Sequence, residues 1–333
     1  MERWYPCASL IILCLLLVIP ACGHAPLNTG ESGDISSAVL INQPEKSYVI
    51  YGHLHDPGEI AYYRFDMAAG QTLHVALLVS GKSGTAPDLI IMGPDILDSG
   101  THPALLQILS GRSVFVIPGR LPERPEYEPF SPATLYQIAS YTTQVPASGT
   151  YYIAVFTADG EQDYSLAPGY KEEFTAAEWL LVPISVIGIH AWEGQSPVIV
   201  LAPCIAVVLL GIALLLRRQK RTGTPRSLFS WLAITAGLLY LGGASTTFTQ
   251  MVRALGITGW DPSAILTLIF ISIPVVLGIV AMRTGYGSGQ SVLAKERVLL
   301  AVIGVLGLVF WGGLIIGPVI AFVAAIVPES TKK

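Results

Sequence analysis

The charged residues of this chain are divided unevenly along its length, and that division constrains the fold more than any motif does. Between Gly23 and Gln195 there are 19 acidic residues and 7 Lys or Arg, whereas from Ser196 onward there are 3 acids and 11 Lys or Arg. Most of the later cations fall in two short clusters between long apolar runs. An acidic polar domain followed by apolar runs with basic loops predicts an extracytoplasmic head on a transmembrane helical bundle.

The composition agrees with a membrane protein that carries a folded head. Charged residues make up 13% of the chain, against roughly one quarter in soluble domains. The acidic head would repel phosphate, so we expect no nucleic-acid partner. Three of the four cysteines lie in the first 22 residues and the fourth is Cys204. The head therefore has neither a disulfide framework nor a thiolate metal cage.

Residues 1–22 have the pattern of an export signal. An apolar core from Cys7 to Ile19 is too short for a comfortable span. It ends at Ile19-Pro20-Ala21-Cys22-Gly23, which resembles a prokaryotic lipobox and predicts lipidation of Cys22. An ordinary cleaved signal and an uncleaved anchor stay open as alternatives. Residues 23–37 are rich in Gly, Ser and Asn and predict a flexible tether.

Residues 38–170 consist of short β-rich runs separated by turn residues. Several runs alternate apolar and polar residues, as in Tyr63-Arg64-Phe65-Asp66, which is typical of strands with one buried face. The predicted strands are Val39–Ile41, Tyr48–Tyr51, Ala61–Asp66, Leu73–Val79, Leu89–Met92, Val114–Ile117, Tyr136–Tyr141, Tyr151–Phe156 and Asp163–Leu166. Strands without an intervening helical pattern predict an all-β antiparallel sandwich.

Four motifs in this region resemble prokaryotic pre-peptidase C-terminal (PPC-like) domains. They are Tyr63-Arg64-Phe65 with Ala69–Leu73, Pro87-Asp88-Leu89 with Gly93-Pro94, Ser148–Ile153, and Tyr164-Ser165-Leu166. The resemblance covers about residues 45–168 and implies a secreted accessory or binding sandwich, usually without catalysis. The insertion Ser99–Thr134 and the membrane bundle depart from that family's pattern.

The insertion contains an acidic, aromatic and proline-rich run, Pro122–Pro132. Its prolines favour extended conformations that cannot join a central strand. Tyr127 and Phe130 could bind a partner, since exposed loops often do so. The alternative, which the sequence favours, is an ordered edge loop that packs these two rings onto the sandwich.

Residues 174–193 predict an interfacial helix that couples the head to the bundle. Thr175 and Glu178 have capping-box spacing before an apolar run, Trp179–Trp192. Fourteen residues at 1.5 Å each cover about 21 Å, less than the roughly 30 Å of hydrocarbon in a bilayer. Trp179 and Trp192 would lie in the headgroup region and, with the loop aromatics, are candidates for partner binding.

Residues 198–327 predict a four-helix transmembrane domain. The spans are about Val198–Leu216, Leu228–Thr249, Ala264–Met282 and Val298–Val327. The two loops with basic clusters, residues 217–226 and 283–297, are predicted to lie in the cytoplasm. The tail, residues 328–333, is then predicted to lie outside the cell. Gly313 and Gly317 have the small-residue spacing that allows close helix packing. The spans contain no Asp, Glu, Lys, Arg or His but several hydroxyls, so a transport path is disfavoured.

Three histidines are the candidates for a metal site in the head. His53 and His55 lie on the same side of one strand, and His74 lies on a strand that could neighbour it. Solvated strand ends are the simpler interpretation. The three carboxylates between residues 159 and 163 could bind Ca²⁺, but their spacing does not match an EF-hand loop and favours a solvated hairpin tip.

No Gly-x-Ser-x-Gly, His-Glu-x-x-His or phosphate-loop motif occurs, and we expect no cofactor. The sequence predicts a non-enzymatic surface module at a prokaryotic plasma membrane, which docks with or stabilises a membrane complex. Its expected partners are the lipid bilayer and other membrane subunits or further copies of itself. The alternatives are a solute- or metal-sensing head coupled to the bundle, and a transporter subunit.

Overall fold

The structure is a computed structural model that describes residues 24–27, 30, 32–81, 86–223, 226–288 and 292–328. The predicted export signal with Cys22, and all of the tail except Pro328, lie outside the described residues. The chain divides into two compact units. The sandwich unit comprises Met1–Leu78, Ser83–Arg120 and Ile138–Phe174, and the helical unit comprises Val79–Lys82, Leu121–Gln137 and Thr175–Lys333.

The described strands form two sheets. Their bounds are β1 Ala25–Pro26, β2 Val39–Leu40, β3 Tyr48–Leu54, β4 Ile60–Met67, β5 Thr72–Val79, β6 Asp88–Gly93, β7 Ser113–Ile117, β8 Glu126–Glu128, β9 Ala133–Gln144, β10 Gly149–Phe156 and β11 Gln162–Pro168. One sheet has the order β1-β3-β11-β5-β9-β8 and the other β2-β4-β10-β6-β7. All nine predicted strands are confirmed, and the sequence missed only the short strands β1 and β8.

The two sheets pack as a β-sandwich, which confirms the predicted class of this region. The pairs β4–β10, β6–β10, β3–β11, β5–β11, β6–β7 and β8–β9 are antiparallel, and the short pairs β1–β3 and β2–β4 are parallel. Tyr63 on β4 and Tyr164 on β11 are buried, and their hydroxyl oxygens lie 2.6 Å apart in the interior. Gly52 on β3 makes room for this contact, because a Cβ there would lie 2.3 Å from the Tyr164 ring.

The sheet that contains β4 is buried on both faces, which differs from the one-sided strands that the alternation predicts. Tyr62 and Ile90 are buried in a second cluster, which Leu106 from the insertion also joins. The backbone N–H of Gln107 donates to the Tyr62 hydroxyl at 3.0 Å. The first part of the insertion therefore covers the outer face of this sheet.

The prediction of a flexible tether at residues 23–37 is wrong for the part of this segment that the structure describes. Ala25 and Pro26 pair with β3, and Ile35 belongs to the same buried cluster as Tyr62. Burial of apolar side chains such as Ile35 outweighs the loop-forming composition of this segment.

The helical unit is built from α1 Ala176–Trp192, α2 Pro197–Thr222, α3 Leu228–Thr258, α4 Ala264–Gly287, α5 Ala294–Val309 and α6 Ile316–Ile326. Three of these helices, α2, α3 and α4, are long and apolar enough to cross a membrane. The predicted capping box at the start of α1 is present. The Glu178 N–H donates to Thr175 Oγ1 at 3.2 Å, and the Thr175 N–H donates to the Glu178 carboxylate at 2.7 Å.

The last predicted span is not a single helix. A 3-10 turn at Gly312–Leu314 separates α5 from α6, and the backbone φ is positive at Trp311 and Ile315. The chain reverses here, and the end of α6 returns to the start of α5. The Arg297 guanidinium accordingly donates to the carbonyl of Ala325 at 3.1 Å and to that of Val327. We term α5 and α6 the helical hairpin.

Close backbone packing surrounds α3. A Cβ at Gly243 would lie 3.2 Å from the backbone nitrogen of Gly313, and one at Gly317 would lie 3.5 Å from the Tyr240 ring. Gly313 and Gly317 therefore pack closely against α3, as their small size suggests. They do not share one helix face, because Gly313 lies in the turn and Gly317 lies in α6.

Candidate functional site

A buried histidine lies near the end of α1, which is otherwise apolar. His190 is 1% exposed. After the helix, Gly194 has a φ of 82°, a left-handed conformation that glycine adopts readily. The Gln195 N–H donates to the His190 carbonyl at 2.9 Å across this turn. The turn brings the side chain of Gln195 back toward His190, and the i,i+3 spacing at the end of the helix places Glu193 beside it.

Four side chains, His190, Glu193, Gln195 and Gln250, form what we term the polar cluster. Glu193 Oε2 lies 2.7 Å from His190 Nδ1 and 3.0 Å from Gln195 Nε2. The amides of Gln195 and Gln250 pair reciprocally at 3.1 and 3.0 Å. Glu193 Oε1 accepts from the Thr134 backbone N–H at 2.9 Å. The cluster thus connects α1, α3 and the start of β9.

The donors around Glu193 indicate where the protons lie. An ionised carboxylate can only accept hydrogen bonds, and Glu193 receives them from the Thr134 backbone and the Gln195 amide. His190 completes this set if Nδ1 carries the proton, which assigns the lone pair of the neutral ring to Nε2. His190 Nε2 is buried and has no hydrogen-bond partner among the described residues.

The helical unit contains a cavity of about 70 Å³ that is lined by both His190 and Thr246. Thr246 lies on α3, one turn before Gln250, and is 7% exposed. Like His190 Nε2, its Oγ1 is buried without a partner in the part of the chain that the structure describes. The remaining wall is mainly apolar and includes Phe130, Val186, Phe270, Phe310 and Trp311. We term this space the aromatic cavity.

Trp311, in the turn of the helical hairpin, organises the aromatic wall. Its ring stacks on Phe270 with centroids 5.0 Å apart and lies 4.6 Å from the ring of Trp179. The Trp311 indole donates to the Trp179 carbonyl at 3.0 Å, and the Trp179 indole donates to the Val309 carbonyl at 3.2 Å. The Val309 carbonyl is in the last turn of α5, where a helix leaves its carbonyls unpaired, so the Trp179 indole supplies its partner.

Trp179 therefore has a packing role in the helical unit. Trp192, at the other end of α1, is half-buried. The position of either ring at a membrane interface stays a prediction, as does their role in partner binding.

The proline-rich segment also packs within the helical unit. Tyr127 is 6% exposed, and its hydroxyl lies 2.7 Å from Thr267 Oγ1 on α4. Thr267 Oγ1 donates to the Pro129 carbonyl at 2.7 Å, and the Phe130 ring lies 5.8 Å from that of Phe270. The expectation that Tyr127 and Phe130 pack onto the sandwich is wrong, because α4 offers them a hydroxyl partner and an aromatic face. Tyr127 is also too buried to dock a partner.

A second cavity, of about 150 Å³, also lies in the helical unit. Its lining includes Glu193 and Gln250 together with Thr134, Tyr136 and Arg253. This wall is more polar than that of the aromatic cavity. The polar cluster contributes side chains to both spaces.

The predicted histidine site is only partly assembled in the sandwich unit. The rings of His53 and His55 lie 4.4 Å apart. His74 lies toward the other end of the shared strand β11, as the pairing registers show, and its Nδ1 is 2.7 Å from Thr142 Oγ1. Across the described ranges, no three His, Cys, Asp or Glu side chains are grouped so that they could bind a metal ion.

Carboxylates from the predicted hairpin tip occupy both nitrogens of His53. Its Nδ1 lies 2.7 Å from Asp163 Oδ1, and its Nε2 lies 3.2 Å from Glu161 Oε1. These contacts favour a strand end held by side-chain contacts over a calcium site.

Sequence patterns alone do not single out the polar cluster. His190 and Glu193 have the i,i+3 spacing of helix neighbours, which was the available signal. Gln250 falls one residue beyond the end of the predicted span at Thr249. The sequence also does not show that Thr246 Oγ1 is buried without a partner. That property depends on how the helical unit packs around α3, for which a local sequence pattern gives no signal.

Comparison with known proteins identifies no family for this chain. No protein-family model matches it, and no curated protein matches it significantly. Among solved structures, it is similar to PliG from Aeromonas hydrophila, a periplasmic inhibitor of g-type lysozyme, at 16% identity with a TM-score of 0.23, over 44% of this chain and 96% of that chain. It is also similar to the pre-peptidase C-terminal domain of a Bacillus anthracis collagenase, at 16% identity with a TM-score of 0.22, over 42% of this chain and 97% of that chain. Neither likeness bears on activity, and the sandwich rests on its own strand pairing.

Proposed function

We propose that this protein is a membrane-anchored, non-enzymatic accessory module that docks with or stabilises a membrane complex. The PPC-like sandwich would lie on the extracytoplasmic side of a prokaryotic plasma membrane. Helices α2, α3 and α4 would cross the bilayer, and the helical hairpin would enter it and return to the same side. A fourth crossing is not part of this proposal, because Arg297 lies beside the end of α6.

The observation that carries the proposal is the use of hydroxyl groups in the long helices. Ser245, Thr247 and Ser272 donate to carbonyls three or four residues earlier in their own helices, at 2.8, 3.2 and 2.7 Å. Such internal bonds withdraw these hydroxyls from any path through the unit. Helices α2, α3 and α4 also contain no acidic residue. Because carriers need polar groups at mid-depth, these features support a packed anchor over a transporter.

Helix α2 offers an apolar surface on which a neighbouring subunit could pack. Only 17% of its most apolar 18-residue stretch is buried inside the protein, against 61% for α3. Leu209 and Leu210 on α2 are each 62% exposed. In a bilayer this surface contacts either lipid or another protein.

Photo-crosslinking in native membranes tests the accessory role. A photoreactive residue replaces Leu209 on α2 or, as the matched control, Ile265, which is 56% exposed on α4. We expect a protein adduct at Leu209 and a stoichiometric partner, or a second copy, after purification in mild detergent. A monomer that gives only lipid adducts at both positions would contradict the proposal.

A further inference from the structure

We propose that the aromatic cavity binds the hydroxyl end of an alcohol, either a small free alcohol or the terminus of a lipid alcohol, through His190 Nε2 and Thr246 Oγ1. This ligand site goes beyond the accessory role and does not depend on it. The inference starts from the two buried polar atoms that have no partner among the described residues. Leaving such atoms unsatisfied costs roughly 1–3 kcal/mol each, so a native structure normally pairs them.

Thr246 differs from its neighbours on α3 in a way that points to a ligand. Ser245 donates to the Gly242 carbonyl, and Thr247 donates to the Gly243 carbonyl. Thr246 Oγ1 makes no such bond within the described chain, although its side chain lines the cavity. Its hydroxyl is therefore available to a group inside the cavity.

The chemistry of the two atoms restricts what that group can be. If the neutral ring carries its proton on Nδ1, toward Glu193, His190 Nε2 holds a lone pair and accepts from a donor. Thr246 can donate its proton and needs an acceptor. A hydroxyl oxygen, of an alcohol or of water, both donates and accepts, whereas a carboxylate cannot donate and an ammonium cannot accept. The mainly apolar lining favours an alcohol over water alone, because an alcohol also covers the apolar wall. The apolar wall also disfavours a charged occupant, because ions lose their hydration there.

The size of the cavity restricts the rest of the ligand. Its volume is about 70 Å³, whereas an engineered apolar cavity of about 150 Å³ accommodates benzene. The enclosed part of the ligand is thus smaller than a benzene ring. A short aliphatic segment would lie against Val186, Phe270 and Phe310, which line the same space.

The test uses two probes on the full chain in phosphatidylcholine nanodiscs. 2-Fluoroethanol, followed by ¹⁹F NMR, reports hydroxyl binding, and xenon, followed by ¹²⁹Xe NMR, reports access to the apolar cavity. His190→Asn removes Nε2 but keeps an amide donor for Glu193, and Thr246→Val removes the hydroxyl at nearly constant shape. We expect saturable binding of 2-fluoroethanol that each variant weakens about fivefold or more, with xenon binding retained. Ser272→Ala is the control, since Ser272 is exposed on α4 and bonds to Leu268.

Three results would overturn the proposal. The first is saturable xenon binding without saturable 2-fluoroethanol binding by the wild-type chain, which would indicate an apolar void. The second is an unchanged affinity for 2-fluoroethanol in both variants. The third is that the variants lose the binding of 2-fluoroethanol and of xenon together, which would show that the cavity has collapsed. Repeating the titration before and after delipidation distinguishes the sources. A requirement for delipidation indicates a lipid alcohol, and unchanged binding indicates a small free alcohol.

Discussion

Gly52 and Tyr164 are directly opposite each other on the paired strands β3 and β11. The large Tyr164 ring fits there because Gly52 has no side chain. The Tyr164 ring occupies the space above Gly52 and carries its hydroxyl to Tyr63 on the opposite sheet. In the helical unit, Gly194 has a comparable local role, since it turns the chain so that Gln195 reaches His190. In both places a glycine makes a polar contact in the interior possible.

Replacing Gly52 with Ala should lower the free energy of unfolding by about 1–3 kcal/mol, because a buried ring or strand must shift to admit the methyl group. Chemical unfolding of the full chain in mild detergent, followed by near-ultraviolet circular dichroism, measures the change. Gly33→Ala is the matched control, since the nearest atom to its added Cβ lies 3.9 Å away. Equal stability of the two variants would show that the Tyr164 ring has room to move.

His74 should make the stability of the protein depend on pH. Burial lowers the pKa of His74 below its ordinary value of 6.5. The folded state therefore binds the proton less readily than the unfolded state, and stability falls as pH drops through 6.5 toward the folded pKa. We expect His74→Asn to reduce the fall in melting temperature between about pH 7.5 and 5. His102→Asn, at an exposed ring, is the control, and equal slopes in all three proteins would refute the assignment.

Among the elements, the strands could be predicted and the helical hairpin could not. Alternation at Tyr63–Asp66 identifies β4, because each face of a strand repeats every two residues. A run of β-forming residues between turn residues identifies β10. The apolar run of residues 298–327 has the same composition whether it crosses a bilayer or reverses within it. The contact of Arg297 with Ala325 and Val327 closes the hairpin, and such a tertiary contact leaves no periodic signal.

The hairpin predicts that the end of α6 lies on the same side of the membrane as the start of α5. Cysteines introduced at Val327 and Leu293, with the native cysteines replaced, should react alike with a membrane-impermeant maleimide. A cysteine at Trp260, which is 71% exposed between α3 and α4, marks the opposite side. If the cysteine at Val327 reacts like the one at Trp260, residues 298–327 cross the membrane as a fourth span and the hairpin prediction is wrong.

At the scale of the whole molecule, the two units are interleaved along the chain. Residues Leu121–Gln137 lie between two segments of the sandwich unit in the sequence, but they belong to the helical unit. The proline-rich composition of this segment predicts an extended conformation, which β8 has at the sheet edge, but not the packing partner of the segment. That partner, Thr267 on α4, lies 140 residues from Tyr127 in the sequence. The polar cluster is unpredictable for the same reason, because it joins residues 190–195 to Gln250 and to the backbone of Thr134, which are far apart in the sequence.

A chain that ends at Phe174 should therefore aggregate, because Tyr127 and Phe130 lose the helices against which they pack. Replacing both residues with Ser should raise the soluble monomeric fraction of this truncated chain, as measured by size-exclusion chromatography. In the full chain, the same double replacement should instead lower the melting temperature. A truncated chain that is monomeric without the replacements would show that the segment has an alternative packing site.

The helical hairpin also sets an order of biogenesis. Helices α5 and α6 are 16 and 11 residues long, too short to cross about 30 Å of hydrocarbon separately. The backbone groups at their turn are shielded by Trp179 and by the glycines of α3, so a nascent hairpin that met lipid first would expose them. The hairpin can thus enter the membrane only after the helices that precede it in the chain have formed a docking site. Its entry would then be a folding step and not a further insertion by the translocation machinery.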